Sequence, residues 1–351
     1  MKQAKQRTTA EKKNPVKEIT EKLEQGIQDL VHSEAFQKYL NTMSKFYNYS
    51  YNNTLLIAMQ KPEASYVAGF HAWQRDFERH VKKGEKGIKI IAPRTIKKLV
   101  KREQVDPVTR KVIKNQDGNP KKEKVEVQMP GFQVVTVFDI SQTEGKELPS
   151  IGTNELCGNV QDYPFFIKTL EQVSPVPVEH EKIESGAKGY YHVQDKKIVL
   201  QEQMSEMQTV KTLIHEIAHA MLHNREAVLV EGIEEDDKKN RRTKEVEAES
   251  VAYTVCQRYG IDTSEYSFAY IAGWSSGMEL KELKQSMDTI QKTVSQLITQ
   301  IDGTYRKQKK EAVKVSRKST IKERLTAGEE KKKQVDTFKP KSSKKKEAII
   351  A

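Results

Sequence analysis

The stretch Thr212-Leu-Ile-His-Glu-Ile-Ala-His-Ala-Met221 sets two histidines four residues apart with a glutamate beside the first. On a helix, positions i and i+4 project from one face, so His215 and His219 can reach a single metal ion. Glu216 is then placed to take a proton from a water polarised by that ion, the division of labour of zinc-dependent peptide hydrolysis. Such a site needs a third protein ligand and an open fourth position. Glu245, Glu247 and Glu249 supply candidates. Glu245 and Glu249 share a helix face, whereas Glu247 points about 160° away from each of them. Glu245 is the favoured ligand and Glu247 the fallback. Glu249 can then accept a histidine N–H, which fixes the tautomer and raises ligand basicity. A carboxylate triplet on a helix is ordinarily a solvated face, but the apolar surroundings Leu213, Ile214, Ile217, Ala218, Met221 and Leu222 change the balance. Two imidazoles and a carboxylate turned into them would be costly to bury unless they held something. His223 lies further along the same face. A third-histidine pattern would need His at 225 and Gly at 222, where Arg225 and Leu222 stand, so His223 reads as a packing or surface residue.

The elements that must position these groups follow from periodicity. Ser205-x-x-Gln208 is a capping box that opens the metal-motif helix. The strand Lys197–Leu200 precedes it and could pair with an extended peptide at a cleft edge. Tyr190, Tyr191 and His192 are near enough in sequence to stabilise an oxyanion, with nothing to choose among them. The helix carrying the glutamates runs from about Thr243 to Tyr259, where Gly260 stops it. Tyr163–Val173 is helical. A last helix starts near Glu279, with Leu280, Leu283, Met287, Ile290, Val294, Leu297 and Ile301 in 3,4 spacing. It packs on its own domain or, if the seam is exposed, self-associates over 280–301.

The first half reads differently. Ile19, Leu23, Ile27 and Leu30 mark a helix from Val16, a second covers Phe36–Met43, and a third opens near Asn52 and closes before Pro62. Phe70, Trp73, Phe77 and Val81 share a face of the next, which makes Trp73 a core residue. Gly84-Glu-Lys-Gly87 turns into a strand Ile88–Ala92, and Gln133–Ile140 is a strand by its β-branched content. Residues 95–130 between them suggest a hairpin with a long, mobile connection. The expected organisation is a disordered 1–15, an α+β domain 16–142, a linker 143–159, a mainly helical domain 160–303 and a disordered basic tail 304–351.

The formal charge of +12 is concentrated: residues 304–351 hold 17 Lys/Arg against 6 Asp/Glu, and 75–102 hold 11 against 3. Residues 226–237 are acidic. Lys82, Lys83, Lys86, Lys89, Arg94, Lys97 and Lys98 could track a phosphate backbone, and Tyr47, Tyr49 and Tyr51 could stack bases. Cys157 and Cys256 are the only cysteines, which argues for a reducing compartment. No apolar run approaches the roughly 20 residues that span a bilayer, and no secretory signal is visible, so the expectation is a cytoplasmic protein without membrane contact.

Asn53-Thr-Leu-Leu-Ile-Ala-Met-Gln-Lys-Pro-Glu-Ala-Ser, Gly69-Phe-His-Ala-Trp73, Val81-Lys-Lys-Gly-Glu-Lys-Gly-Ile88 and Val137-Phe-Asp-Ile-Ser-Gln142 resemble the N-terminal domain of ArdC-type antirestriction proteins. The second half, from Gly189-Tyr-Tyr through the His-Glu-x-x-His motif to Glu245-Val-Glu-Ala-Glu-Ser-Val-Ala-Tyr253, resembles the zincin domain of the same family, itself similar to ImmA/IrrE metallopeptidases. The resemblance covers roughly 16–300. It implies a single-stranded DNA-binding domain followed by a zinc metallopeptidase-like domain, carried on plasmids or other mobile elements and protecting incoming DNA from restriction. By the same resemblance His215, His219 and Glu245 bind Zn2+ and Glu216 is catalytic. Two other readings stay open: an ImmA-like regulatory protease that cuts a repressor, and a non-catalytic DNA-protecting protein with a structural metal site.

Overall fold

The computed structural model describes residues 15–30, 32–148, 163–223, 241–261, 274 and 279–337, with the side chains of 33, 313 and 315–337 excepted. Cys157, the acidic run 226–237, and the expected disordered or linker residues 1–14, 149–159 and 338–351 lie outside that set. The described residues up to Ile298 form one compact unit and those from Thr299 a second.

Three helices begin the first unit: α1 (Pro15–Asp29), α2 (Ser33–Lys45) and α3 (Tyr51–Gln60). Ile19, Leu23, Ile27 and Leu30 are buried along the face their spacing marks out. Ser50, not Asn52, caps α3, its hydroxyl accepting from the Asn53 N–H at 3.4 Å. Strand β1 (Val67–Gly69) leads into α4 (Phe70–Phe77), where Trp73 is fully buried and its indole N–H donates to the Phe138 carbonyl at 2.9 Å. Val81 does not continue that helix. Glu78 turns left-handed at φ 54° and ends it, and Val81 falls in β2 (Arg79–Val81).

Strands β3 (Ile88–Glu103) and β4 (Lys122–Asp139) pair antiparallel over their length, with β1 added to the far side of β4. The inner ends pack Ile88, Ile90 and Val137 against Phe46, Ile57, Ala64 and Val67. The expected mobile connection of residues 95–130 is instead mostly ladder. Its tip is folded too: Asp106 accepts the N–H groups of Val108 and Thr109 at 2.9 and 2.7 Å, and Val105 bridges Val112. Frequent Lys and Glu hid a strand that alternates without burying either face.

A 3-10 turn (Ile140–Gln142) follows, knotted by Asp139. Its carboxylate accepts N–H bonds from Ser65, Tyr66 and Ser141 at 2.8, 3.1 and 2.9 Å. Strand β5 (Thr143–Gly145) then pairs with β2, so the first residues of the expected linker are structured. The Arg79 guanidinium holds them, donating to the Thr143 hydroxyl and to the Thr143 and Lys146 carbonyls at 2.8, 3.0 and 2.6 Å.

The second half comprises α5 (Tyr163–Val173), β6 (Val178–Glu181), β7 (Gly189–His192), β8 (Lys197–Gln201), α6 (Glu206–Leu222), α7 (Arg241–Arg258) and α8 (Leu280–Thr337). β8 is the central strand of a sheet ordered β6-β8-β7, parallel to β6 and antiparallel to β7. The edge role expected of Lys197–Leu200 therefore passes to its neighbours. Ile198, Val199 and Leu200 are buried on both faces, as a central strand requires.

The two halves pack directly through α2 and α7. The Tyr253 hydroxyl donates to Asn41 Oδ1 at 2.7 Å, and Phe36 meets the edge of Trp274 at 6.3 Å between ring centroids. Leu283, Met287, Ile290, Val294 and Leu297 of α8 are buried, so the exposed seam that self-association required is not there. In the second unit the helix persists to Thr337, through residues expected to be disordered. From Thr304 to Thr337 there is no proline and one glycine, Gly328, among many Lys, Arg, Glu and Ala, all good helix formers. No helix among the described residues is long and apolar enough to cross a membrane.

Candidate metal centre

Helix α6 is fixed at its start by Ser205, whose hydroxyl accepts the Gln208 N–H at 3.3 Å. Its apolar stripe, Val210, Leu213, Ile214, Ile217 and Ala218, is buried, which anchors the rotation of the helix and hence the direction of both histidines. His215 and His219 sit one turn apart with their Nε2 atoms 3.0 Å from each other. Helix α7 packs alongside and brings Glu245 Oε2 to 3.4 Å from His219 Nε2 and 3.7 Å from His215 Nε2.

One ligand atom from each of these three residues lies within 4.8 Å of the other two. A tetrahedral ion with bonds of about 2.0–2.1 Å keeps its ligands about 3.3 Å apart, close to the separations here. Two imidazoles and a carboxylate also suit a divalent first-row ion chemically. Glu247, the fallback ligand, is fully buried and stands outside the cluster. Glu249 Oε2 lies 3.1 Å from His215 Nδ1, the position expected of an acceptor that leaves Nε2 for the ion. Without an ion, burial lowers the His215 pKa, but hydrogen bonds to Glu245 and Glu249 outweigh it and push it up to about 10. The same contacts with His215 and His219 hold the Glu245 carboxyl well below the usual range. A metal ion must displace the proton shared in this cluster, so binding releases protons.

Glu216 is 6% exposed. Burial pushes its carboxyl up, opposed by the two imidazoles and by a backbone hydrogen bond from Tyr191. This backbone contact explains how β7 serves the site. It left no trace in residue type, since a peptide N–H is common to every residue but proline. An open cleft of about 250 Å³ lies between Gly189 on β7 and Gln208, Thr212, His215 and Glu216 on α6, with Glu249 also on its wall. The approach of strand to helix is close. A Cβ on Gly189 would stand 2.7 Å from Thr212 Cγ2 and 3.0 Å from the Val199 carbonyl oxygen. The side chains of Tyr190, Tyr191 and His192 are not on the cleft wall, and His192 Nδ1 accepts the Asp195 N–H at 3.2 Å. His223 lies near His219 but directs Nε2 to the Lys244 carbonyl at 3.2 Å, fastening the end of α6 to the start of α7.

The residues expected to meet DNA are more scattered. Tyr47 lies under the Arg258 guanidinium at 4.9 Å, and its carbonyl accepts from Gln291 at 2.8 Å. Tyr49 packs edge-on against Phe46 at the core boundary, and Tyr51 is half-buried at the start of α3. Lys82 donates to the Ser141 carbonyl at 3.0 Å. Lys83, Lys86, Lys89 and Arg94 are exposed. Lys89 and Arg94, five apart on β3, project from opposite faces.

The family described as the N-terminal domain of anti-restriction factor ArdC matches residues 9–138, and the IrrE N-terminal-like domain of the M78 peptidase family matches 172–259. An uncharacterised protein of Bacillus anthracis is 32% identical over 324 residues, which is 84% of this chain and 53% of that protein. The chain thus spans about half the length of that relative. Two crystal structures of the antirestriction ArdC protein of plasmid R388 are also similar. The metal-free form is 18% identical with a TM-score of 0.42, covering 73% of this chain and 85% of that one. The Mn(II)-bound form is 16% identical with a TM-score of 0.45, covering 84% and 98%. With an ArdC N-terminal domain followed by an IrrE N-terminal-like domain of the M78 peptidase family, this chain has ArdC-type architecture.

Proposed function

We propose that this is a cytoplasmic antirestriction protein of a mobile element, which binds single-stranded DNA through its N-terminal half and hydrolyses a peptide bond at a zinc centre held by His215, His219 and Glu245. The observation that carries the hydrolytic reading is the convergence of three ligand atoms within 4.8 Å, with Glu249 behind His215 and Glu216 beside it. Bound there, the ion would polarise a water and the substrate carbonyl.

The chain's own groups supply the rest. Glu216 takes the proton from the attacking water and returns it to the leaving amine. Burial raises its pKa, and a bound ion beside it would act in the opposite direction. The Tyr191 N–H holds that carboxylate toward the cleft. Among the described residues β7 has no strand on its outer side, so an extended peptide can add there and lie across the cleft mouth. On the DNA side, Lys83, Lys86, Lys89 and Arg94 are among the exposed cations available to phosphates.

The test uses Glu216→Ala in the full chain. It should retain zinc, measured by elemental analysis, and retain single-strand binding, while losing peptide hydrolysis. Antirestriction that survives the substitution would remove hydrolysis from the protective function and leave a DNA-protecting protein with a structural metal site. A wild-type protein purified without stoichiometric metal, and unable to take up zinc, would end the hydrolytic reading.

A further inference from the structure

We propose that the β3–β4 ribbon beyond the Arg94–Gly131 pair is an arm that grips duplex DNA by its phosphates. This goes beyond the single-strand reading above and does not depend on it.

Ten paired rungs run from Arg94↔Gly131 to Glu103↔Lys122, both included. At about 3.4 Å per residue the arm is about 31 Å long, a little under one turn of B-form DNA. A two-stranded ribbon is also one of the shapes that the major groove, about 12 Å wide, admits. Every residue of β3 from Arg94 to Glu103 is exposed, so no core explains why the strands run on. A hairpin alone in water is marginally stable, and this one extends far past the layer that holds its base.

Charge indicates what it meets. Residues 94–124 carry eleven Lys or Arg against four Asp or Glu. Some of that charge is balanced, as in the Lys97–Glu126 ion pair at 2.7 Å. Opposite charges also face each other at Arg102↔Glu123 and Glu103↔Lys122, whereas Lys101↔Lys124 sets like charges directly opposite, which destabilises a ribbon. Lysines also guard exposed edges against strand pairing, but that role does not call for a like-charged rung. A polyanion laid along the arm would relieve it.

The residue types that the arm lacks are as informative. From Arg94 to Gly131 there is no aromatic residue. Sequence-tolerant binding of single strands relies on stacking bases against aromatic rings, and the arm offers none. Phosphate binding needs only cations and polar donors, and a duplex presents phosphates at high density with its bases already stacked.

The experiment measures anisotropy of labelled oligonucleotides across a salt series with the full chain. One probe is a mixed-sequence duplex of about 30 base pairs, longer than the turn the arm spans. The other is an oligo-dT single strand of the same length. The variant K98Q/K101Q/R102Q/K122Q/K124Q removes five exposed charges without touching the buried base of the ribbon. Duplex affinity should fall about tenfold or more near 0.1 M salt, and the slope of log K against log salt should shrink by about 0.9 for each phosphate no longer neutralised. Single-strand affinity should change by less than about twofold. A second variant, in which Asn-Gly replaces residues 95–130, should show the same pattern. The proposal fails if the wild type does not bind duplex, if the charge variant loses less than about fivefold, or if both probes lose equally. It also fails if duplex binding is kept while sedimentation changes, which would make the arm a protein contact. Failure of wild-type single-strand binding alone would count against the function proposed above and leave the arm standing.

Discussion

Glu249→Gln is the most discriminating perturbation of the candidate metal centre, because it replaces neither a proposed ion ligand nor the proposed base. The carboxylate stands 3.1 Å from His215 Nδ1. Replacing it by an amide of the same shape keeps an acceptor oxygen and removes the charge that favours the Nδ1–H tautomer and the basicity of Nε2. Loss of such a partner typically weakens metal binding about 10–100-fold, or about 1.4–2.7 kcal/mol. The effect also reaches stability. With free zinc at 100 times the wild-type Kd, binding adds about 2.7 kcal/mol to unfolding, and a hundredfold weaker site at the same zinc adds only about 0.4. Two assays read this: competition with a chromogenic chelator for Kd, and urea unfolding with and without zinc. The apo variant should unfold with the apo wild type to within about 1 kcal/mol, since a partly exposed pair contributes little by itself. Glu245→Gln should weaken zinc more than Glu249→Gln does. An unchanged Kd in Glu249→Gln, or a larger loss there than in Glu245→Gln, would mean that the roles assigned to the two glutamates are wrong.

Asp139→Ala leaves three backbone N–H donors without their carboxylate and should cost about 2–4 kcal/mol in urea unfolding. Burial works against the Asp139 charge, but the Ser141, Ser65 and Tyr66 donors outweigh it and hold its pKa below the usual range. Its stabilisation is thus complete above the unfolded value of about 4 and fades as pH falls through the lower folded value, so the difference between variant and wild type should narrow in acid. Gly189→Val forces β7 away from Thr212 and the Val199 carbonyl, which should abolish hydrolysis with zinc content intact; unchanged turnover would remove β7 from the substrate path.

The metal motif was legible because its signal is local. Ser205, the apolar stripe of α6 and the four-residue spacing of the histidines each fix one degree of freedom of a single helix. Glu245 and Glu247 could be told apart for a similar reason: helical geometry alone sets them on different faces, and the structure leaves Glu247 in the core. What depended on partners distant in the chain was not legible. Nothing in Lys197–Leu200 says that β6 will pair beside it as well as β7, so the strand read as an edge when it is central. The alternation in β3 is masked because neither face of the outer ribbon is buried, and periodicity reports burial rather than pairing. Tyr47 and Tyr49 read as stacking platforms because their contacts with Arg258, Gln291 and Phe46 are set by tertiary packing.

The boundary expected between the halves lies in sequence, while packing joins them. Glu245, Glu249 and Tyr253 follow one another at four-residue steps on α7, so a single stripe of that helix carries the proposed third ligand, the carboxylate beside His215 and the bond to Asn41 of α2. Phe36 of α2 meets Trp274, whose indole N–H donates to the Thr243 hydroxyl at 3.0 Å, two residues before Glu245. Gln291 of α8 donates to the Tyr47 carbonyl, and the Arg258 guanidinium of α7 lies over the Tyr47 ring. A helix is stiff over this span, and its rotation about its own axis sets how far Glu245 stands from the two imidazoles. The N-terminal half therefore forms part of the wall against which Glu245 is held, and the geometry of the candidate metal centre depends on both halves together.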